Sequence, residues 1–308
     1  MMNEVPQNSE KIVGVEISDA TFTAVCLGVG ASIVGERKIS FDRNQPNLPQ
    51  LIDFIKQLSA DFGAFKHLGV AVPGLVRQDT KRVAFSAYIP EHSEIDLSGE
   101  IESAIGAKVT IENDANAAAY GEYRVGAGRG SRDMFYVTLG TGVGGAFIFG
   151  GQIWRGISGF AGEFGYVAVN SDGMRLEDVA SADSIVRRTR SRFHQDRTSS
   201  LNNLRENQIT LSDIINEARK NDDFAQMMLR RTGIYVGTAI ADVINLLNIE
   251  KIVVGGEIMQ AEHLVLDAIV HRARELSFAP SFENARIAGG QLGENAAAVG
   301  AALLASEH

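Results

Sequence analysis

Residues 111–121 read IENDANAAAYG. The alternating KVTI of 108–111 before them is a strand pattern, and the small-residue run from Ala115 to Tyr120 reads as a helix start. Asn113 and Asp114 therefore stand where a strand ends and a helix begins, two polar side chains carried by regular elements yet exposed. Two readings compete. In one, Asn113 or Asp114 is an N-cap whose oxygen accepts a hydrogen bond from an orphan N–H of the helix. In the other, Asp114 is a general base at the end of a strand, where open α/β sheets place their ligands. The stretch alone does not choose between them.

The surrounding chain narrows the setting. Its 308 residues, 45% hydrophobic and 22% charged, have the composition of a soluble globular protein large enough for two domains and a sizeable core. A net charge of −9 disfavours non-specific binding to nucleic acid or an anionic membrane, because phosphate-rich partners are held chiefly by Lys and Arg. The single cysteine, Cys26, excludes an intramolecular disulfide and reads as a buried small hydrophobe. The N-terminal MMNEVPQNSEK lacks the apolar core of a signal peptide. Residues 134–154 carry no charge, but six glycines and a turn-like centre make them a hairpin rather than a membrane helix. A cytoplasmic location is expected.

Outward from the opening stretch, residues 12–41 hold two or three closely spaced strands, an antiparallel meander whose first turn is Ser18-Asp19-Ala20-Thr21. A helix over 48–62 buries Leu51, Ile52, Phe54, Ile55 and Leu58 on one face, and a strand over 67–72 closes at Pro73-Gly74. Residues 77–96 read as loop, and Ser98 as the cap of a short helix over 99–105. A meander followed by alternating helices and strands indicates an α/β domain. Residues 133–150 repeat the first hairpin in length and pattern, which points to an internal duplication. Residues 154–169 read as a loop running into a strand. The charge run RRTRSRFHQDR that follows reads as a solvated helix face. Thr210 to Asp213 forms a capping box before a helix to about Lys220. A long helix over 223–247, a strand over 251–254, a helix over 261–276, a strand near 286–288 and a small-residue helix over 295–306 complete the chain.

Two glycine-rich turns can carry chemistry. LGTGVGG at 139–145 permits positive φ and leaves backbone N–H groups open to an anion, although tight turns need glycine on steric grounds alone. VVGGE at 253–257 is a buried strand ending in two glycines. Together with VPG at 72–74, ENDANAAAYGE at 112–122, GEFGY at 162–166, LEDVAS at 176–181 and LGENAAAVGAA at 292–302, this order resembles the ROK family of bacterial sugar kinases and sugar-responsive repressors, within the actin-like ATPase superfamily.

The resemblance implies an α/β protein of two ribonuclease-H-like domains with a cleft between them. The small domain would be 1–116 plus 295–308, and the large domain 117–294. It implies a small-molecule sugar as substrate, ATP with Mg2+ as cofactor, and a homodimer. Asp114 would be the general base, Asn113, Glu163, Tyr166 and Glu177 would meet the sugar, and Gly140, Thr141, Gly142, Gly255, Gly256 and Glu16 would serve the nucleotide. Without the resemblance, Glu163 reads as an exposed turn residue and Glu177 as a first-turn helix carboxylate.

Three departures from the family pattern stand out. The first phosphate hairpin, normally an Asp followed by glycines and a threonine, reads Glu16-Ile17-Ser18-Asp19-Ala20-Thr21. A unit charge on Asp19 facing phosphate at 4 Å and an effective dielectric of 20 costs about 4 kcal/mol, roughly a thousand-fold in affinity, whereas Asp19 turned to solvent costs little. The family's zinc-binding histidine position is Tyr166, and 170–176 has no cysteine, so structural zinc is not expected. The stretch before Leu97, where family kinases present an Asn to the sugar, reads Ser86-Ala87-Tyr88-Ile89-Pro90. About ten residues precede the first strand, too few for a helix-turn-helix, so the repressor branch is not expected. The expectation is an ATP-dependent hexose kinase, with a catalytically weak or inactive sugar or nucleotide sensor as the alternative.

Overall fold

The computed structural model describes residues 11–77, 79–86, 89–93 and 95–307. Ala87 and Tyr88 of the expected sugar loop, and the N-terminal segment on which the location and repressor expectations rest, lie outside the described residues.

Strands β1 (Ile12–Ile17), β2 (Thr21–Leu27) and β3 (Ile33–Ser40) form the expected meander. Helix α1 (Asn47–Phe62) follows, with Leu51, Phe54, Ile55 and Leu58 buried, and then β4 (His67–Val72) pairs parallel with β1. The described residues between 75 and 96 are more ordered than the loop expected over 77–96. Strands β5 (Leu75–Val76) and β6 (Val83–Phe85) make a small hairpin, and Ser86, Ile89 and His92 are buried. The polar composition of the segment concealed the few side chains that anchor it. Helix α2 (Leu97–Ile105) is capped by Asp96, not Ser98, with the Asp96 carboxylate accepting the Gly99 N–H. Next come β7 (Lys108–Asn113), parallel to β4, and α3 (Asp114–Val125).

The second half opens with β8 (Met134–Leu139), β9 (Val143–Phe149) and β10 (Gln152–Trp154). The strand expected before residue 169 is absent: there is a 3-10 turn at Phe164–Tyr166 and a single bridge between Ala168 and Arg175. Glycines on both sides of Glu163 leave too little side chain to sustain a strand. Helices α4 (Glu177–Ala180), α5 (Ala182–Arg190), α6 (Leu211–Arg219) and α7 (Asp223–Leu247) follow, with the Thr210–Asp213 capping box in place. Arg188, inside the run read as solvated, is partly buried and donates to Thr232 Oγ1 at 2.8 Å. The chain ends with β11 (Lys251–Gly255), α8 (His263–Leu276), α9 (Ala279–Asn284), β12 (Arg286–Gly289) and α10 (Ala296–Ala305).

The two main sheets have the orders β3-β2-β1-β4-β7 and β10-β9-β8-β11-β12. In each the first strand of the half lies central, its meander on one side and parallel strands on the other, so the duplication read from the two hairpins extends to whole sheets. By packing the chain divides into two compact units. The first runs to Gly130 and adds Ala146–Ala161 and Glu294–His308, and the second comprises Ser131–Gly145 and Gly162–Gly293.

In the first unit Val13, Val15 and Ile17 point from β1 into a core shared with α1 and α2, each worth about 1.5–3 kcal/mol of burial. On the opposite face Gly14 and Gly69 are cross-strand neighbours. A Cβ on either would lie 1.9 Å from a carbonyl oxygen of α10, so that helix rests its backbone directly on the sheet. Beyond its N-terminus the same face continues as the cross-strand row Lys38, Thr23, Glu16, Ala71 and Glu112.

Candidate active site

The cap reading of the opening stretch is borne out. Asn113 is the cap: its Oδ1 accepts the Asn116 N–H at 3.0 Å, while its Nδ2 donates to the Gly74 carbonyl at 3.1 Å. Asp114 is the first residue of α3, and its Oδ1 accepts from Asn113 Nδ2 at 2.9 Å and from the Ala115 N–H at 2.8 Å. Capping by Asn113 thus leaves the Asp114 carboxylate oriented by two donors at the positive end of a helix. Beneath it the buried Glu112 accepts from Asn116 Nδ2 at 3.0 Å and from Arg155 Nε at 3.0 Å.

Glu16 projects from the end of β1 on the same sheet face as Glu112. Burial first, and then the negative charge of Asp114, push its carboxyl up to about 8, with Lys38 pulling the other way. Near neutral pH these effects favour the protonated form of Glu16. Lys38 itself donates to Glu294 Oε2 at 2.8 Å.

The hairpin after Glu16 has closed on itself. Neither Asp19 nor Ala20 lies at positive φ, so the turn is not of the primed type that glycine favours. Ser18 Oγ accepts from the Ala20 N–H at 3.3 Å and the Thr21 N–H at 3.0 Å, consuming backbone donors that a glycine turn leaves open. Asp19 turns to Arg43, whose Nη2 donates to Asp19 Oδ2 at 2.8 Å.

In the second unit the two glycine turns come together. Gly256 has φ +92°, and a Cβ there would lie 2.4 Å from the Leu139 carbonyl oxygen. A Cβ on Gly255 would meet the Tyr136 hydroxyl, at 2.3 Å. Gly140, Gly142 and Gly144 are not at positive φ, contrary to the reading from sequence. The turn is shaped instead by the Gly140 N–H donating to the Gly142 carbonyl at 2.9 Å and by the Ala182 N–H donating to the Gly140 carbonyl at 2.8 Å. A Cβ on Gly140 would meet nothing nearer than Glu257 Oε1 at 3.8 Å, so the space beside its Cα is open. Glu177 Oε2 accepts the Val143 N–H at 2.9 Å, tying α4 to this turn. Glu163 is exposed, and partial burial of its carboxyl together with the charge of Glu177 raises its pKa. Tyr166 is also exposed, with the Arg175 guanidinium 4.3 Å over its ring.

The ROK family model matches residues 12–308. The chain belongs to the ROK family. A glucokinase of Halalkalibacterium halodurans is 30% identical, with 96% of this chain and 94% of that protein aligned. The xylose repressor of Bacillus subtilis is 26% identical over 96% of this chain and 77% of its own length. Among solved structures, a ROK family glucokinase from Streptomyces griseus in complex with glucose and AMPPNP superposes with a TM-score of 0.86 at 30% identity, covering 97% of this chain and 100% of that one. The fold is accordingly the two-domain α/β architecture of the actin-like ATPase superfamily.

Within this ROK chain, Mg-ATP fits the donors unevenly. In the second unit the space beside the Gly140 Cα is open, although both backbone groups of Gly140 are engaged within the turn, and in the first unit the hairpin has spent two N–H groups on Ser18. Among the described residues no group of three or more His, Cys, Asp or Glu side chains is arranged to hold a metal ion. No helix among them is long and apolar enough to cross a membrane. Sequence reasoning missed Glu112, Arg155, Lys38, Glu294 and Arg43. Strand register places Lys38 and Glu112 in one cross-strand row with Glu16, whereas Arg155 and Glu294 lie outside the strands and are found only as the partners of Glu112 and Lys38. Arg43 had no signal beyond being a cation after β3.

Proposed function

We propose that this ROK protein is an ATP-dependent hexose kinase whose base is Asp114. The observation that carries the reading is the fixing of Asp114 at the strand-to-helix junction by Asn113 Nδ2 and the Ala115 N–H, in a chain whose relatives include glucokinases. Asp114 accepts the proton of a sugar hydroxyl as that oxygen forms a bond to phosphorus and the bond between phosphorus and the ADP oxygen breaks. Bound Mg-ATP supplies the phosphoryl group. Gly140, Thr141 and Gly142 would hold phosphate oxygens, Gly255 and Gly256 would flank the nucleoside, and Glu16 would order water on the cation, whose charge favours its carboxylate form. Asn113, Glu163, Tyr166 and Glu177 orient the sugar. Glu177 does so while its Oε2 holds Val143, which links sugar contact to the phosphate turn.

A sensor without turnover is the second reading, and the Ser18-closed hairpin favours it. Coupled measurement of ADP release over a panel of hexoses decides between them. The kinase reading expects turnover of at least one hexose and a loss of about a thousand-fold or more in kcat for Asp114→Asn. No turnover of any sugar, together with thermal stabilisation by sugar but not by Mg-ATP, would establish the sensor.

A further inference from the structure

The hairpin at 16–21 poses an electrostatic problem for a nucleotide site, because Asp19 stands in a turn that the kinase reading sets against polyphosphate. The side chain that answers it is Arg43. The loop after β3 is held firmly over this turn. The Phe41 N–H donates to the Ala20 carbonyl at 3.1 Å, and the Phe41 and Phe22 rings stack with centroids 4.8 Å apart. Gln50 then clamps the loop from α1, accepting the Asp42 N–H at 2.9 Å and donating to the Asp42 and Pro46 carbonyls, each at 3.0 Å. Arg43 thus reaches Asp19 from a positioned segment, and the two make an ion pair at 2.8 Å.

We infer that Arg43 is a positioning residue for nucleotide: by cancelling the charge of Asp19 it keeps the first hairpin compatible with a polyphosphate chain. The inference rests on the kinase reading. An exposed pair of this kind adds little to folding, so its loss is felt at the ligand rather than in stability. Unbalanced, the Asp19 carboxylate repels a multivalent anion through partly screened solvent, an effect of about tenfold in affinity.

The test is a double-mutant cycle read by Mg-ATP binding in calorimetry and by the KM for ATP. Arg43→Ala is expected to weaken ATP by about tenfold while kcat and the sugar KM stay unchanged, and the deficit shrinks as salt is raised. Asp19→Asn binds ATP at least as well as the wild type, Arg43→Ala with Asp19→Asn returns to wild-type affinity, and Arg43→Lys retains most of it. Wild-type affinity in Arg43→Ala, or a double variant as weak as Arg43→Ala, overturns the inference alone. Absence of any Mg-ATP binding to the wild type would remove the nucleotide reading and the inference with it.

Discussion

At the scale of single residues, the site depends on a carboxylate that is not in it. Glu112 is nearly buried, its side chain 8% exposed, and Arg155 is its cation. Removing one member of such a pair leaves a charge with water excluded and no counter-charge, which costs more than the pair contributed. Arg155→Ala is expected to lower stability by about 2–3 kcal/mol, seen as a drop in Tm and in the denaturant midpoint. Adding Glu112→Gln should recover most of that loss, and equal destabilisation by the double variant would disprove the coupling. Asp114 and Asn113 were legible from sequence because the strand-to-helix switch falls on them within a few residues. The support beneath them was not, since Arg155 is remote in the chain and only β7 and the segment after β10 bring it to Glu112. The same holds at Asp19: its charge was plain in the sequence, while its partner depended on where the loop after β3 settles.

At the scale of elements, sequence periodicity found the strands and long helices because their burial alternates with period 2 or 3.6. It passed over the segment from β5 to α2, where few side chains do the anchoring. His92 is one of them, 1% exposed, with neither ring nitrogen hydrogen-bonded. Burial holds its imidazole down to about 4 against the weaker upward pull of Glu91, so the folded chain carries it neutral. Between that value and the ordinary 6.5 the unfolded chain binds the extra proton. Stability from this group is therefore complete above about 6.5 and is lost as pH falls through 4, by at most about 3 kcal/mol. In a Tm series from pH 7.5 to 4, His92→Leu should decline less steeply than the wild type. Parallel curves would show that the ring is not the acid-sensitive element.

At the scale of the molecule, the last helix completes the first unit. Every residue of α10 is buried, and it lies where Gly14 and Gly69 bare the sheet backbone. Gly300 faces the other way, and a Cβ there would lie 1.7 Å from the Ala117 carbonyl of α3. The helix thus packs between the central strands and the helix that carries Asp114. The small-residue composition of LGENAAAVGAA announced close packing, but only strand register shows that Gly14 and Gly69 form its bed. A chain ending at Gly293 loses this cover, the Lys38–Glu294 pair and the contact of Arg124 with Glu307. It exposes the sheet face and the inner side of α3 to water. Loss of these ten buried residues, three of them worth about 1.5–3 kcal/mol each, is comparable to the roughly 5–15 kcal/mol by which such a domain is stable. The truncated chain is therefore expected to lose cooperative thermal unfolding for the first unit, and limited proteolysis should cut first within residues 11–130, while the full chain resists. A truncated protein with the full chain's Tm and protease resistance would show that α10 is an accessory to the fold. Such a result would also require another explanation for glycine at both Gly14 and Gly69, where the helix backbone leaves no room for a side chain.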